Sequence, residues 1–256
     1  MIIVFTNGKG GVGKTYVSVH MAGWVQMHGY SVVLVDCDSQ QLSSRWLQTA
    51  SSNLDVVTLA TEGEIRRELP KLAEQYELVI VDAPGGLSDN TVAILSLADA
   101  AIVPTSGGHL DVQGSSWTIK TIQEIKKQRD DLPLTVVLPV KASPRHKTTR
   151  NLRNKAKRLG FGVTRTSIPS LQIYAQAAGL ESEDGESWDI QPSFIWDLGK
   201  SKKVREAALY LDAAFQEIFP EVSEENPDLV RQLVTPEKRL VKEKRNAYER
   251  KVAANV

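Results

Sequence analysis

The chain contains one cysteine in 256 residues, Cys37, so an intramolecular disulfide is excluded. Cys37 directly follows an apolar run and reads as a small, reduced, mostly buried side chain. Net charge is also absent, because 31 Lys and Arg balance 31 Asp and Glu. Any affinity for nucleic acid must therefore come from a local patch and not from the field of the whole molecule. No apolar run approaches the roughly 20 residues of a membrane span. No basic, apolar, small-residue leader precedes the first apolar run, and both absences predict a cytoplasmic protein. Internal repeats and low-complexity linkers are missing too, which leaves a length suited to one large α/β domain.

What is present is an alternation of apolar runs and helical patterns. The runs predict strands over 2–6, 31–36, 56–59, 78–82, 100–105 and 134–139. The helical spacing predicts helices over 15–28, 63–76, 89–97, 112–130, 147–159 and 202–218. This order implies a doubly wound, mostly parallel sheet flanked by helices, with ligands bound at the carboxyl ends of the strands. Composition shifts after Phe219-Pro220. The reading is a domain over 1–219 and a charged, helical extension over 220–256, its helix running from about Glu237 to Lys251. The extension offers no continuous apolar face, which argues against a membrane-surface helix.

The sharpest motif is Gly8-Lys9-Gly10-Gly11-Val12-Gly13-Lys14-Thr15, which fits the phosphate-loop pattern G-x-x-x-x-G-K-S/T. An apolar strand precedes it and a helix follows, as the motif requires. Its glycines let backbone N–H groups wrap phosphates, and the helix N-terminus favours an anion. Lys14 is placed to reach the β- and γ-phosphates, and the Thr15 hydroxyl to ligate Mg²⁺. A second strand ends in Asp36-Cys37-Asp38. Asp38 is the candidate for orienting the attacking water, and Asp36 for a supporting role near the metal. A further strand, Leu78-Val79-Ile80-Val81-Asp82, supplies the usual carboxylate on the Mg²⁺ side, and Gly85-Gly86 behind it permit a switch loop.

These segments resemble the ParA/MinD family of deviant phosphate-loop ATPases. The resemblance rests on Lys9 to Thr15, Asp36-x-Asp38-x-Gln40, Asp82-x-Pro84-Gly85, and the stretch from Leu97 to Thr105 followed by Leu110-Asp111, and it extends over roughly residues 1 to 218. The chain is most similar to the short ParA proteins that lack an N-terminal helix-turn-helix domain, because its phosphate loop begins within ten residues of Met1. The resemblance implies a P-loop NTPase fold with ATP and Mg²⁺ as cofactors. Metal-side residues are then Thr15, Asp36 and Asp82, and Gly8 to Tyr16, Asp82 and Gly85 line the nucleotide. It also implies a homodimer formed on ATP, in which Lys9 of each protomer reaches the other's nucleotide as an arginine finger would. Asp38 takes the place of the catalytic aspartate beside Lys9 and Lys14. The chain departs from the family in three places. Thr15 is followed by Tyr16 and not by a second small hydroxyl residue. Pro139-Val140 offers neither Asn nor Arg toward adenine. Ser106-Gly107-Gly108-His109 replaces a proline-containing loop.

From Lys141 to Leu180 there is no Asp or Glu. Helical spacing puts Lys147, Arg150, Asn154, Lys157 and Arg158 near one face of a helix that also carries Arg153, a further candidate contact, and Lys200, Lys202 and Lys203 open another. Such segregation in a neutral chain forms a phosphate-binding surface. The short ParA proteins bind DNA without sequence preference through their C-terminal half, so the resemblance implies non-specific DNA (the nucleoid) as one partner. A stimulating adaptor of the centromere-binding type is the other. Two alternatives remain from the sequence: a MinD-like membrane-associated regulator, and a metabolic P-loop enzyme acting on a small molecule.

Overall fold

The computed structural model describes residues 1–50, 52–86, 88–106, 116–179 and 192–234. Seven strands form one wholly parallel sheet: β1 (Ile2–Phe5), β2 (Val32–Asp36), β3 (Asp55–Thr58), β4 (Leu78–Asp82), β5 (Ala100–Ser106), β6 (Leu134–Val140) and β7 (Gly162–Val163). Their order is β3-β2-β4-β1-β5-β6-β7. All residues of β1, β2 and β4 are buried, as apolar β-branched runs covered on both faces must be.

The helices are α1 (Lys14–Met27), α2 (Leu42–Thr49), α3 (Glu62–Gln75), α4 (Asp89–Leu97), α5 (Ser116–Gln128), α6 (Lys147–Arg158), α7 (Gln172–Ala177), α8 (Lys202–Ile218) and α9 (Leu229–Val234). They divide into two layers. One face of the sheet packs on α1, α2, α7, α8 and α9 through residues such as Trp24, Leu47, Ile173, Leu211 and Val230. The other packs on α3, α4, α5 and α6 through Ile65, Ile94, Ile122 and Leu152. The helix after β1 and the helix after β4 thus leave adjacent strands toward opposite faces. That divergence opens a crevice at the carboxyl ends of β1 and β4, where doubly wound sheets bind ligands.

Side-chain caps fix three helix starts. Thr61 and Glu64 form a capping box on α3, Ser88 caps α4 and Ser201 caps α8. Asp99, between α4 and β5, accepts the Ile2 amide at 2.7 Å and so pins the start of β1 at the end of the sheet remote from the phosphate loop. Three helices have no counterpart in the sequence expectations: α2, α7 and α9, the last a six-residue helix at Leu229–Val234. The polar α2 begins at Gln41, in the left-handed region at φ 52 with no side-chain cap, so no start signal is present. The six-residue α7 is too short for periodicity to reveal it. The two-residue β7 was missed for the same reason.

The packed core continues past the boundary expected at residue 219. Val222, Val230 and Val234 are buried in the same layer as Trp24 and Phe215. Residues 220–234 therefore pack on that layer, and the helix expected from Glu237 to Lys251 lies outside the described residues. So do His109, Leu110 and Asp111. Among the described residues no helix is long and apolar enough to cross a membrane.

The α1 layer is built around aromatic rings. His20 stacks on Tyr16 with ring centroids 4.2 Å apart, and it meets Trp46, Phe194 and Trp196 edge-on. Its Nδ1 donates to the Tyr16 carbonyl at 2.8 Å, and its Nε2 accepts the Ile195 amide at 3.0 Å. Both ring nitrogens are thus satisfied in the neutral form, and burial pushes the pKa down to about 3. Gly23 faces Phe194 so closely that a Cβ there would lie 2.5 Å from the ring.

Candidate functional site

The phosphate loop spans Gly8 to Thr15 between β1 and α1. Its first half is held from outside. Asn7 donates from Nδ2 to the Pro104 carbonyl at 2.8 Å and accepts the Lys9 amide at 3.0 Å, while Gly8 donates its amide to the Thr118 hydroxyl at 2.8 Å. Neither Asn7 nor Thr118 was anticipated from the sequence. Asn7 borders the motif, but its role depends on β5 lying alongside. Gly11 and Gly13 stand at φ 70 and 86, a conformation that side chains rarely adopt. Val12 is buried. Gly13 opens α1 with no side-chain cap and no acid in the first turn, so the helix N-terminus presents its amides and its dipole to an anion.

Lys14 points inward and is almost fully buried. Burial lowers its pKa, and Asp82 and Asp38 oppose that shift. The ammonium therefore sits in the field of two carboxylates. Asp38, at the mouth of the site, accepts the Gln40 amide on Oδ1 at 3.0 Å and the Gly85 amide on Oδ2 at 3.3 Å. It thereby bridges the loop after β2 to the loop after β4.

Asp36 and Asp82 are register partners across β2 and β4, and both are buried. Asp36 is saturated: Oδ1 accepts the Asp38 amide at 3.1 Å, and Oδ2 accepts the Ser44 amide at 2.9 Å and hydroxyl at 2.8 Å. Asp82 has no hydrogen-bond partner on either oxygen among the described residues. Burial raises its pKa to about 7 and the negative Asp36 adds to the shift. The Thr15 and Ser43 hydroxyls and Lys14 draw it back, although neither hydroxyl bonds it in normal geometry. A buried carboxylate left bare beside a hydroxyl is costly unless a cation completes it. Oxygen donors of this kind suit Mg²⁺, which takes one or two protein ligands and fills the rest from phosphates and water. Thr15 and Asp82 thus fit a Mg²⁺ ion, and Asp36 orders the segment behind them.

Tyr16, expected along the nucleotide, turns its ring into the core between His20, Trp46 and Tyr174. Its hydroxyl is buried without a hydrogen-bond partner among the described residues. The side chain is committed to the core, and what Tyr16 can still present to a nucleotide is its backbone amide.

The basic residues divide between the two layers. Lys147, Arg150, Lys157 and Arg158 are exposed on α6, while Lys200, Lys202 and Lys203 are exposed at the start of α8 in the opposite layer. β7 forms the edge of the sheet beside β6, and α6 packs against both strands. Arg153, the fifth basic candidate on this helix, is half-buried. Its guanidinium donates to the Arg165 carbonyl and, at 2.9 Å, to the Ser167 hydroxyl. Glu217 of α8 accepts the Arg165 and Thr166 amides of that same turn. Arg153 therefore fastens the segment after β7. Cys37 is buried, and burial pushes its thiol pKa up, so it is inert.

Comparison with known proteins agrees with this geometry. Residues 3–180 match the model of the CobQ/CobB/MinD/ParA nucleotide binding domain. The chain is 26% identical over 179 residues to the sporulation initiation inhibitor protein Soj of Bacillus subtilis strain 168, an alignment covering 54% of this chain and 71% of the relative. It is 36% identical over 114 residues to maintenance of carboxysome distribution protein A of Gloeobacter kilaueensis, covering 43% of this chain and about half, 51%, of the relative. Among solved structures, apo McdA of Cyanothece superposes with a TM-score of 0.62 at 15% identity, covering 84% of this chain and 98% of that one. With the phosphate loop, the two strand-end carboxylates and the parallel sheet all in place, the chain belongs to the CobQ/CobB/MinD/ParA family of nucleotide-binding domains, the ParA/MinD-type ATPases.

Proposed function

We propose that the chain is a ParA-type switch ATPase. It dimerises on ATP, binds DNA without sequence preference, and hydrolyses ATP to release it. The cycle drives partition or positioning of a plasmid or another large cargo, with a stimulating adaptor protein of the centromere-binding type, in the cytoplasm at the nucleoid. The observation that carries the reading is the place of the cations. α6 begins seven residues after β6 ends at the carboxyl edge of the sheet. The start of α8 lies near the same edge, because Tyr174 packs on Tyr16 and donates to the Ala207 carbonyl at 3.1 Å. Lys147, Arg150, Lys200, Lys202 and Lys203 are exposed, and the connections of their helices to the phosphate-loop edge support a DNA surface on that side. A dimer built on that side doubles the phosphate contacts and makes DNA affinity depend on nucleotide.

In the hydrolytic step, water attacks the γ-phosphorus, the bond to the β,γ-bridging oxygen breaks, and ADP and phosphate leave. Asp38 orients the water from a loop braced by Gly85. Lys14, desolvated between carboxylates, and Lys9 of the opposing protomer neutralise the charge that develops on the phosphoryl oxygens. Thr15 and Asp82 would hold Mg²⁺, which would supply further neutralisation of the developing charge.

The test is binding of random-sequence duplex DNA by wild type and Lys9→Ala, with ADP and with ATP, across a salt series. Binding by wild type with ATP only, lost steeply with salt and absent in Lys9→Ala, is the expected result. Binding that ignores nucleotide, or no binding, overturns the DNA reading.

A further inference from the structure

Lys141 follows β6 directly and is the only residue of the basic half that reaches the phosphate loop among the described hydrogen bonds. Its Nζ donates to the Gly11 carbonyl at 2.9 Å, across 130 positions of sequence. The backbone of Lys141 stands at φ 48, in the left-handed region that a lysine enters only at a cost. Such a conformation persists where the surroundings over-determine it. Here they do. Val140 pairs with Ile168, Ile168 donates to the Pro139 carbonyl at 2.8 Å, and the Ala142 amide donates back to the Ile168 carbonyl at 3.2 Å. The residues on both sides of Lys141 are tied to one residue, and that segment is in turn held by Arg153.

The direction of the contact gives it a consequence. A phosphate loop works by turning N–H groups toward the anion. In a planar trans peptide the carbonyl and the following N–H point to opposite sides. A cation that holds the Gly11 carbonyl on the β6 side therefore aims the Val12 N–H the other way. Flexible glycines flank that peptide at Gly10, Gly11 and Gly13, and nothing else among the described hydrogen bonds fixes its orientation. The side of the loop is informative as well. Asp82 and Asp38, which the proposed reaction sets beside the terminal phosphate, lie on the β4–β2 side of β1, whereas β5 and β6 lie on the other. Lys141 thus braces the loop from the side opposite the reacting phosphate.

We propose that Lys141 is a positioning residue that pre-organises the phosphate loop for nucleotide binding through the Gly11 carbonyl and leaves the chemical step unaffected; this rests on the nucleotide-site reading above. An exposed charge-assisted hydrogen bond of this type corresponds to a change of about five- to tenfold in affinity. In the full-length chain, Lys141→Met is expected to raise the Kd for a fluorescent ADP analogue and the KM for ATP by about that factor, with kcat within about twofold of wild type. Lys141→Arg, which keeps a donor, is expected to recover most of the loss. Lys141→Gly removes the ammonium and also relieves the backbone, so it should bind as poorly as Lys141→Met while melting no lower than wild type. Amide exchange at Gly10 to Gly13 in nucleotide-free protein is the independent readout, and it should be faster in Lys141→Met. Nucleotide affinity and loop exchange equal to wild type in Lys141→Met would overturn the proposal. A wild type that binds no nucleotide sinks the nucleotide reading itself, and the exchange comparison still decides whether Lys141 braces the loop.

Discussion

Asp36 and Asp82 occupy equivalent places. Each ends a buried parallel strand, they face each other in register across β2 and β4, and neither touches solvent. Their chemistry is opposite. Asp36 spends both oxygens on Asp38 and Ser44, and so clips the β2 loop to the start of α2. Asp82 spends neither. The first fastens the β2 loop through its hydrogen bonds, and the second is a buried carboxyl left without one among the described residues. The pair teaches that position at a strand end does not define a site; the state of hydrogen-bond satisfaction does.

Exchanging each carboxylate for an amide should separate the two roles. Asp82→Asn should lower ATP turnover by on the order of 10²–10³-fold, the scale of losing a principal electrostatic group, while the nucleotide-free protein melts no lower than wild type. Asp36→Asn should do the reverse. It sets an NH₂ group against N–H or O–H donors and should cost about 1–3 kcal/mol of stability in a denaturant titration. If Asp36→Asn abolishes turnover at unchanged stability and Asp82→Asn unfolds the protein, the assignment is backwards.

Protonation sharpens the contrast. Asp82 titrates near 7 when folded, chiefly because it is buried, against 3.8 as its ordinary value. Between those values the folded state holds a proton that the unfolded state has lost, so this group's contribution to stability falls as pH rises. The effect is at most about 1.4 kcal/mol per pH unit. His20 acts in the opposite sense over an overlapping window, because its pKa falls from 6.5 to about 3 on folding and its contribution is lost as pH drops. The Asp82 share is therefore the difference between wild type and Asp82→Asn, followed by chemical denaturation at several pH values without nucleotide. A difference that does not shrink with falling pH would show that Asp82 is not the bare carboxyl described.

Smaller changes probe the shells around the pair. Ser44→Ala removes the hydroxyl bonded to Asp36 but keeps the amide, and should cost about 1 kcal/mol in thermal or denaturant melting. Gly85→Ala should be smallest. A Cβ there would lie an ordinary 3.8 Å from Lys14 Nζ, so stability should change by under about 0.5 kcal/mol. A larger loss would mean that the β4 loop is more tightly packed around Lys14 than this contact indicates.

Much of the site was legible in the chain. Gly8 to Thr15 is contiguous, and its glycines, lysine and hydroxyl act through backbone geometry that the motif itself imposes. Asp36, Asp38 and Asp82 were visible because apolar runs place their last residue at the sheet's carboxyl edge. The reading weakened wherever a side chain's direction mattered. Tyr16 directly follows the loop and yet belongs to an aromatic cluster, because Trp46 and Tyr174 meet its ring, and Phe194 and Trp196 meet the neighbouring His20, from distant parts of the chain. Arg153 shares its helix with exposed cations and yet turns to Arg165 and Ser167. Neither distinction has a local signal.

The sequence by itself determined the sheet-and-helix alternation, the phosphate loop, the strand-end carboxylates and the acid-free stretch from Lys141 to Leu180. Each of these is written in residues that are adjacent or regularly spaced, and backbone periodicity turns such spacing directly into position. Only the tertiary structure decided that Asp36 is saturated and Asp82 bare, that Asn7 and Thr118 hold the loop, and that Lys141 reaches Gly11. Those properties depend on which distant polar groups arrive within about 3 Å of one another, and that is set by the packing of strands and helices far apart in the chain.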